Sequence, residues 1–475
     1  MKEIFMKNNL IITFLICTIV SLTNVVLAHS YVVSNSKDSG DGSIRAAIEN
    51  ANKSAGANVI YIKSGNNIKI LSSLSYTSTA PLFIYGQGQT IHAMDDFTIL
   101  ESTNGGDMSI HSINFRGPGG FNIENRADLD GVGGKGILLN VRDNQYGMVK
   151  LVLNDVKVSD VANHGIHVSD CDVGATCGAG GGGAGGGSPA SISVSLNNVV
   201  VDNVGQGMFD ADGLRVDERD NGDLIASILN SSFTRVGADG VELDEGQAGS
   251  VIAQIENTSF NNNGYYCHPD ILEAYLPEED EGEFEDGQMT ESAVPPAITG
   301  SPDDGCFERE VSLYDSGFVE EYEFGIDVDD GFDVDEAGPG DIYAEVTRST
   351  IIGNWDEGLD FDEEQEGSIN MTIIDTIALS NTDDGYKHSE EGPGNVSAFV
   401  INSSSEDNGG KGFVFEEEEA GNVMIMAQDV TTSNNDDSDG TGMELVQEDS
   451  GYGIVRSISF SIADGFDIEG VESIN

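Results

Sequence analysis

A carboxylate-rich stretch of seven residues returns along this 475-residue chain: DGLRVDE at 212–218, DGVELDE at 239–245, DGFDVDE at 330–336 and EGLDFDE at 357–363. Aligned on their glycines, the copies place Asp217, Asp244, Asp335 and Asp362 in one row and Glu218, Glu245, Glu336 and Glu363 in the next. If the copies lie on neighbouring strands, about 4.8 Å apart, each pair of adjacent carboxylates repels by about 1 kcal/mol in water-like surroundings. At an effective dielectric of 20 the figure is about 3.5 kcal/mol. Several such rows together rival the net stability of a whole domain. Calcium would offset the repulsion, because oxygen ligands at about 2.3–2.6 Å let one ion bridge carboxylate oxygens up to ~5 Å apart. Both rows are therefore candidate calcium ligands on an outward acidic face. The competing expectation is a hydrated face neutralised by loose counterions. Neither an EF-hand loop nor the glycine-rich nonapeptide calcium repeat is present.

A further row, two residues after each glycine, reads His167, Arg215, Glu242, Asp333, Asp360, Lys387 and Val414. Removing the proton beside a uronate carboxylate takes a base and a cation that neutralises the carboxylate. His167 and Arg215 fall on adjacent copies, with Glu242 beyond and His164 nearby, and these are the candidate substrate-binding residues. The plainer alternative is an ion-pair cluster. Lys387 is expected to pair with its neighbour Asp360, about four copies or ~19 Å from Arg215.

The elements that position these residues follow from the period. Gly213 and Gly240 are 27 residues apart, as are Gly331, Gly358, Gly385 and Gly412 in succession. Gly165 precedes the series and Gly442 and Gly465 continue it with slippage. The longer gaps contain insertions near 171–190 (Gly-rich) and 264–329 (acidic). Each copy holds three short alternating runs divided by turn residues. A second glycine follows nine residues after the first, a turn residue stands at Asn230, Asn257, Asp375, Asn402 and Asp429 (Arg348 breaks this row), and an asparagine stands at Asn263, Asn354, Asn381, Asn408 and Asn435. Period-two runs are strands, and a fixed period of this length means stacked units. The expected fold is all-β: a right-handed parallel β-helix of ~27-residue rungs, about 13 of them, with inward residues such as Phe233 and Phe260 and side-chain amides laddered at the turns.

The net charge of −62 argues against nucleic acid or an anionic membrane surface as partner. Lys2 and Lys7 precede an apolar run, followed by Val26-Leu27-Ala28, the pattern of a signal peptide over 1–28. No later segment is apolar enough to span a membrane. Export to a secreted, periplasmic or cell-surface location makes disulfides Cys171–Cys177 and Cys267–Cys306 the expectation for the four remaining cysteines.

Residues 29–130 are expected to form a cap and the first rungs, and 131–475 the rest of the coil. Within the cap, residues 32–62 read VVSNSKDSGDGSIRAAIENANKSAGANVIYI. This resembles the opening of a group of exported right-handed β-helix proteins with an Asp-Ser-Gly-x-Gly-Ser-Leu-Arg-x-Ala-Ile pattern, Ile44 replacing leucine here. Ser43 can cap a helix to about Asn52 that covers the open end of the coil. The group includes adhesins and pectin-lyase-like enzymes, so the resemblance implies fold and export, not a reaction. The Arg-x-Pro-x-x-Arg stretch of pectate lyases is missing. The leading expectation is a calcium-binding protein acting in adhesion or on an extracellular polysaccharide or cell-surface ligand. The alternative is a calcium-assisted polysaccharide lyase.

Overall fold

The computed structural model describes residues 28–122, 133–171, 186–298, 305–436, 440–458, 461–462 and 464–474. The expected signal peptide, Cys177 and most of the Gly-rich insertion lie outside them.

Each repeat forms one rung. In the rung after Gly240 the chain runs through strands Val241–Gln247, Val251–Glu256 and Ser259–Asn261. These pair in parallel with Leu214–Asp220, Leu224–Leu229 and Ser232–Thr234 of the preceding rung. On the other side they pair with Phe332–Ala337, Asp341–Thr347 and Thr350–Ile352. Among the described residues the first strands of the rungs build a sheet of 12, and the second and third strands together build one of 22. The right-handed parallel β-helix is thus present, with register carried unbroken across the 264–329 insertion.

The turn row has a backbone cause. Asn230, Asn257, Asp375, Asn402 and Asp429 all lie in the left-handed region, φ 49–54°, where Asn and Asp are tolerated best among non-glycine residues. Arg348 interrupts the residue pattern but adopts the same conformation, φ 51°, because the rungs on either side dictate the bend. The asparagine row forms a buried ladder. Asn263 donates its amide to Asn354 (3.0 Å), Asn354 to Asn381 (2.9 Å), Asn381 to Asn408 (3.0 Å) and Asn408 to Asn435 (2.8 Å). Phe233, Phe260 and Phe332 stack at ring separations of 5.7 and 5.5 Å within the core.

The helix Ile44–Ala51 covers the first rungs. Ser43 caps it, accepting from the Ala46 N–H at 3.2 Å, and Ile44, Ala47, Ile48 and Ala51 face the core. The acidic insertion is a separate lobe with its own antiparallel sheet of Glu281–Glu283, Phe307–Leu313 and Val319–Ile326. The Cys267–Cys306 disulfide closes it, with Cα atoms 5.3 Å apart. No helix among the described residues is long and apolar enough to cross a membrane.

Candidate functional site

The 12-stranded sheet carries the chemistry, and side-chain alternation along its strands sorts it. Val241 and Leu243 point inward, so Glu242 and Asp244 point outward, and Glu245 points inward again. The expectation of a single outward acidic face is therefore corrected. Asp217, Asp244, Asp335 and Asp362 lie on the outer face, whereas Glu218, Glu245, Glu336 and Glu363 are fully buried inside, joined by Glu390 and Glu417. Adjacent residues of one strand cannot share an ion when they face opposite sides of the sheet.

On the outer face three rows converge. The residue before the glycine reads Lys135, His164, Asp212, Asp239, Asp330, Glu357, Asp384 and Lys411. The second row contains His167, Arg215, Glu242, Asp333, Asp360 and Lys387, and the third Asp217, Asp244, Asp335 and Asp362. The face is basic at both ends and acidic between. Most of it is not free surface: His167 is 6% exposed, Arg215 4%, Asp217 1% and Lys135 4%.

His167 and Arg215 are paired in register on adjacent strands, as expected. The His167 imidazole bridges Lys135 and Asp217: Nδ1 meets Lys135 Nζ, and Nε2 lies 2.7 Å from Asp217 Oδ2. The lysine can only donate, so Nδ1 accepts and the proton sits on Nε2. Arg215 bonds Asp217 through Nε at 2.8 Å, and through Nη1 it reaches Asp210 at 3.1 Å, Asp212 at 3.4 Å and Glu242. Burial pulls the Lys135 ammonium down to about 8, although Asp217 opposes the shift. Burial and the nearby lysine hold His167 at about 4. Burial pushes Asp217 up, but Arg215 and the His167 hydrogen bond outweigh it and keep it well below the usual carboxylate range. The result is a neutral imidazole clamped between a destabilised ammonium and an ionised carboxylate.

The acidic middle offers three groups whose carboxylate oxygens lie within 4.8 Å of one another: Asp210–Asp212–Glu242, Glu242–Asp333–Asp335 and Asp330–Asp356–Glu357. Arg215 already contacts all three members of the first group. The second begins at Glu242 and continues one rung further from Arg215, and its donors are all hard oxygens, the set that suits calcium or magnesium. Lys387 bonds Asp360 at 2.7 Å, four strands from Arg215, as expected.

Lys135 escaped the sequence reading. Its rung opens at Gly136, whose neighbour Ile137 bonds the Gly165 carbonyl, but the distance from Gly136 to Gly165 is 29 rather than 27. Extending the glycine row one rung back would have placed Lys135 before its glycine, in the same row as His164 and Asp212.

No family model matches the chain, and no curated protein matches it either. Among solved structures, pectate lyase Pel9A is 12% identical over 94% of this chain and 80% of its own, with a TM-score of 0.39. The A-module of mannuronan C-5 epimerase AlgE4 from Azotobacter vinelandii is 13% identical over 93% and 96%, TM-score 0.39. A GH136 lacto-N-biosidase from Eubacterium ramulus is 10% identical over 89% and 67%, TM-score 0.40. Likenesses this distant concern the coil, not the chemistry of its outer face.

Proposed function

We propose that the protein is a cation-dependent polysaccharide lyase acting on a uronate-containing polymer, with the outer face of the 12-stranded sheet as its site. The observation that carries this reading is the Lys135–His167–Asp217 hydrogen-bond chain, on the same outer face as the Glu242–Asp333–Asp335 group further along the coil. In the free-amine form Lys135 takes the proton on the carbon next to the uronate carboxylate. The electrons form the new carbon–carbon double bond, and the glycosidic C–O bond breaks with its pair going to the leaving sugar oxygen, which is then protonated. His167, fixed as the Nε2–H tautomer by Asp217, holds the Lys135 amine in place. Arg215 fixes Asp217 and Glu242. A calcium ion held by Glu242, Asp333 and Asp335 would lie three to four rungs along the face from Lys135 and would anchor a uronate carboxylate further along the polymer.

The product's unsaturated uronate absorbs in the near ultraviolet, which makes the assay direct. Lys135→Met should lower kcat by about 10²–10⁴, the range of a general base. The wild-type rate should rise with pH through about 8, as Lys135 loses its proton. One observation supports binding without catalysis: Lys135, His164, His167 and Arg215 are each no more than 7% exposed. That reading, an adhesin or polysaccharide-binding protein at the cell surface, prevails if pectate, alginate and glycosaminoglycans all give no signal with or without calcium.

A further inference from the structure

The second acidic column lies inside the coil, where the site above makes no use of it. Glu218, Glu245, Glu336, Glu363, Glu390 and Glu417 occupy successive rungs in register, and every one is completely shielded from solvent. For some of these carboxyls part of the demand is met at the turn that follows. Glu218 accepts from the Gly222 N–H at 3.1 Å, and Glu390 accepts from Gly392 and Gly394 at 3.2 and 3.1 Å. The rest is unmet. Both oxygens of Glu245 and of Glu336, and one each of Glu218, Glu363 and Glu417, are buried without a hydrogen-bond donor.

The second glycine row explains how the column fits. A Cβ at Gly340 would lie 1.7 Å from the Gly249 carbonyl oxygen and 2.4 Å from Glu336 Oε1. At Gly367 it would lie 2.0 Å from the Gly340 oxygen and 2.5 Å from Glu363 Oε1, and at Gly394 1.8 Å from the Gly367 oxygen and 2.6 Å from Glu390 Oε1. Each rung thus packs a main-chain carbonyl oxygen of its neighbour and its own carboxyl oxygen so close against the glycine that no side chain fits there. Hard oxygens of successive rungs therefore line the column, and among the described residues no cationic side chain lies inside to meet them. Arg219, beside the end of the column, is committed to Asp244 on the outer side.

We propose that this interior column is a file of dehydrated cation sites, in which calcium is held between rungs by carboxyl oxygens of neighbouring glutamates and by glycine carbonyls. Six carboxylates are neutralised by about three divalent ions, so alternate gaps are filled; filling every gap would leave buried positive charge. These ions leave only when the coil opens, and so exchange far more slowly than any ion in the outer groove. The file is independent of whether the groove turns over a substrate.

The test uses the full-length protein loaded with radioactive calcium chloride and then dialysed against a chelator at neutral pH. The expected result is about three slowly exchanging ions per chain. Glu336→Gln, which keeps the shape and removes one charge, should reduce this by about one, whereas Asp333→Asn on the outer face should leave it unchanged. Anomalous diffraction from wild-type crystals locates the ions without any variant and should place them between the glutamate carboxyls. Less than one retained ion per folded chain, full retention in Glu336→Gln, or no anomalous peak inside the coil would overturn the proposal in favour of carboxyls that share protons.

Discussion

The asparagine ladder from Asn263 to Asn435 and the glutamate column from Glu218 to Glu417 climb the same coil with the same 27-residue spacing, and both are almost completely buried. They differ in one chemical respect. An amide carries a donor and an acceptor, so each asparagine satisfies the next at 2.8–3.0 Å, and the last, Asn435, donates to Asp464 at 3.0 Å. An ionised carboxylate only accepts, so a stack of them lacks donors at every step. Burial, together with neighbouring carboxyls, pushes Glu218 up to about 10 and Glu336 to about 11 in the absence of a cation. A repeat that multiplies a residue multiplies its deficit as well: the asparagine row is self-sufficient, and the glutamate row needs a second component.

The largest expected effect follows from that need. Binding to the folded state alone contributes about 2.7 kcal/mol per site at a hundredfold excess over Kd. About three independent sites would then add about 8 kcal/mol, comparable to the net stability of a typical domain. Melting temperature should therefore rise with millimolar calcium well beyond the rise in sodium chloride of equal ionic strength. Identical curves in the two salts would mean that the glutamate column needs no specific ion.

The asparagine ladder should respond differently. Asn381→Ala removes the acceptor of both the Asn354 side-chain amide (2.9 Å) and the Asn354 backbone N–H (3.1 Å), all deep in the core. Two orphaned buried donors cost about 2–6 kcal/mol. Urea unfolding should show the same loss with and without calcium. A loss that changes with calcium would mean that the two columns are coupled and the contrast between them fails.

How far this was legible in the sequence depends on the kind of signal. The coil, the left-handed turn row and the asparagine row were readable because each places a characteristic residue at a fixed interval. The sidedness of the acids was also available but was overridden by the habit of placing charge outside: Val241, Leu243 and Glu245 share one parity, and counting it through puts the glutamate in the core. The Lys135–His167 contact was less accessible, because its rung departs from the 27-residue spacing. The Arg215 cluster was visible as a row of outward residues but its burial was not, since a sequence period does not say what covers a sheet.

The smallest expected effect concerns one interruption of the apolar interior. His388 takes a core position between Phe361 and Phe415, with ring separations of 5.6 and 4.7 Å, and is fully buried. Nδ1 lies 3.1 Å from the Val414 carbonyl, which makes it the protonated nitrogen, and Nε2 is buried without a partner. Burial holds this imidazole at about 4, against the ordinary 6.5. The folded state therefore binds fewer protons than the unfolded chain below about pH 6.5, so stability is complete above that pH and is lost as pH falls from 6.5 towards 4, by at most about 3 kcal/mol. His388→Phe should remove this acid-sensitive part, since phenylalanine continues the column and leaves no orphaned nitrogen. Measured by urea unfolding at pH 7 and pH 4.5, the stability of the variant relative to wild type should increase at the lower pH. A difference that stays constant between the two would show that the His388 proton plays no part in the acid response, leaving carboxylates held low in the folded state, such as Asp217, as its source.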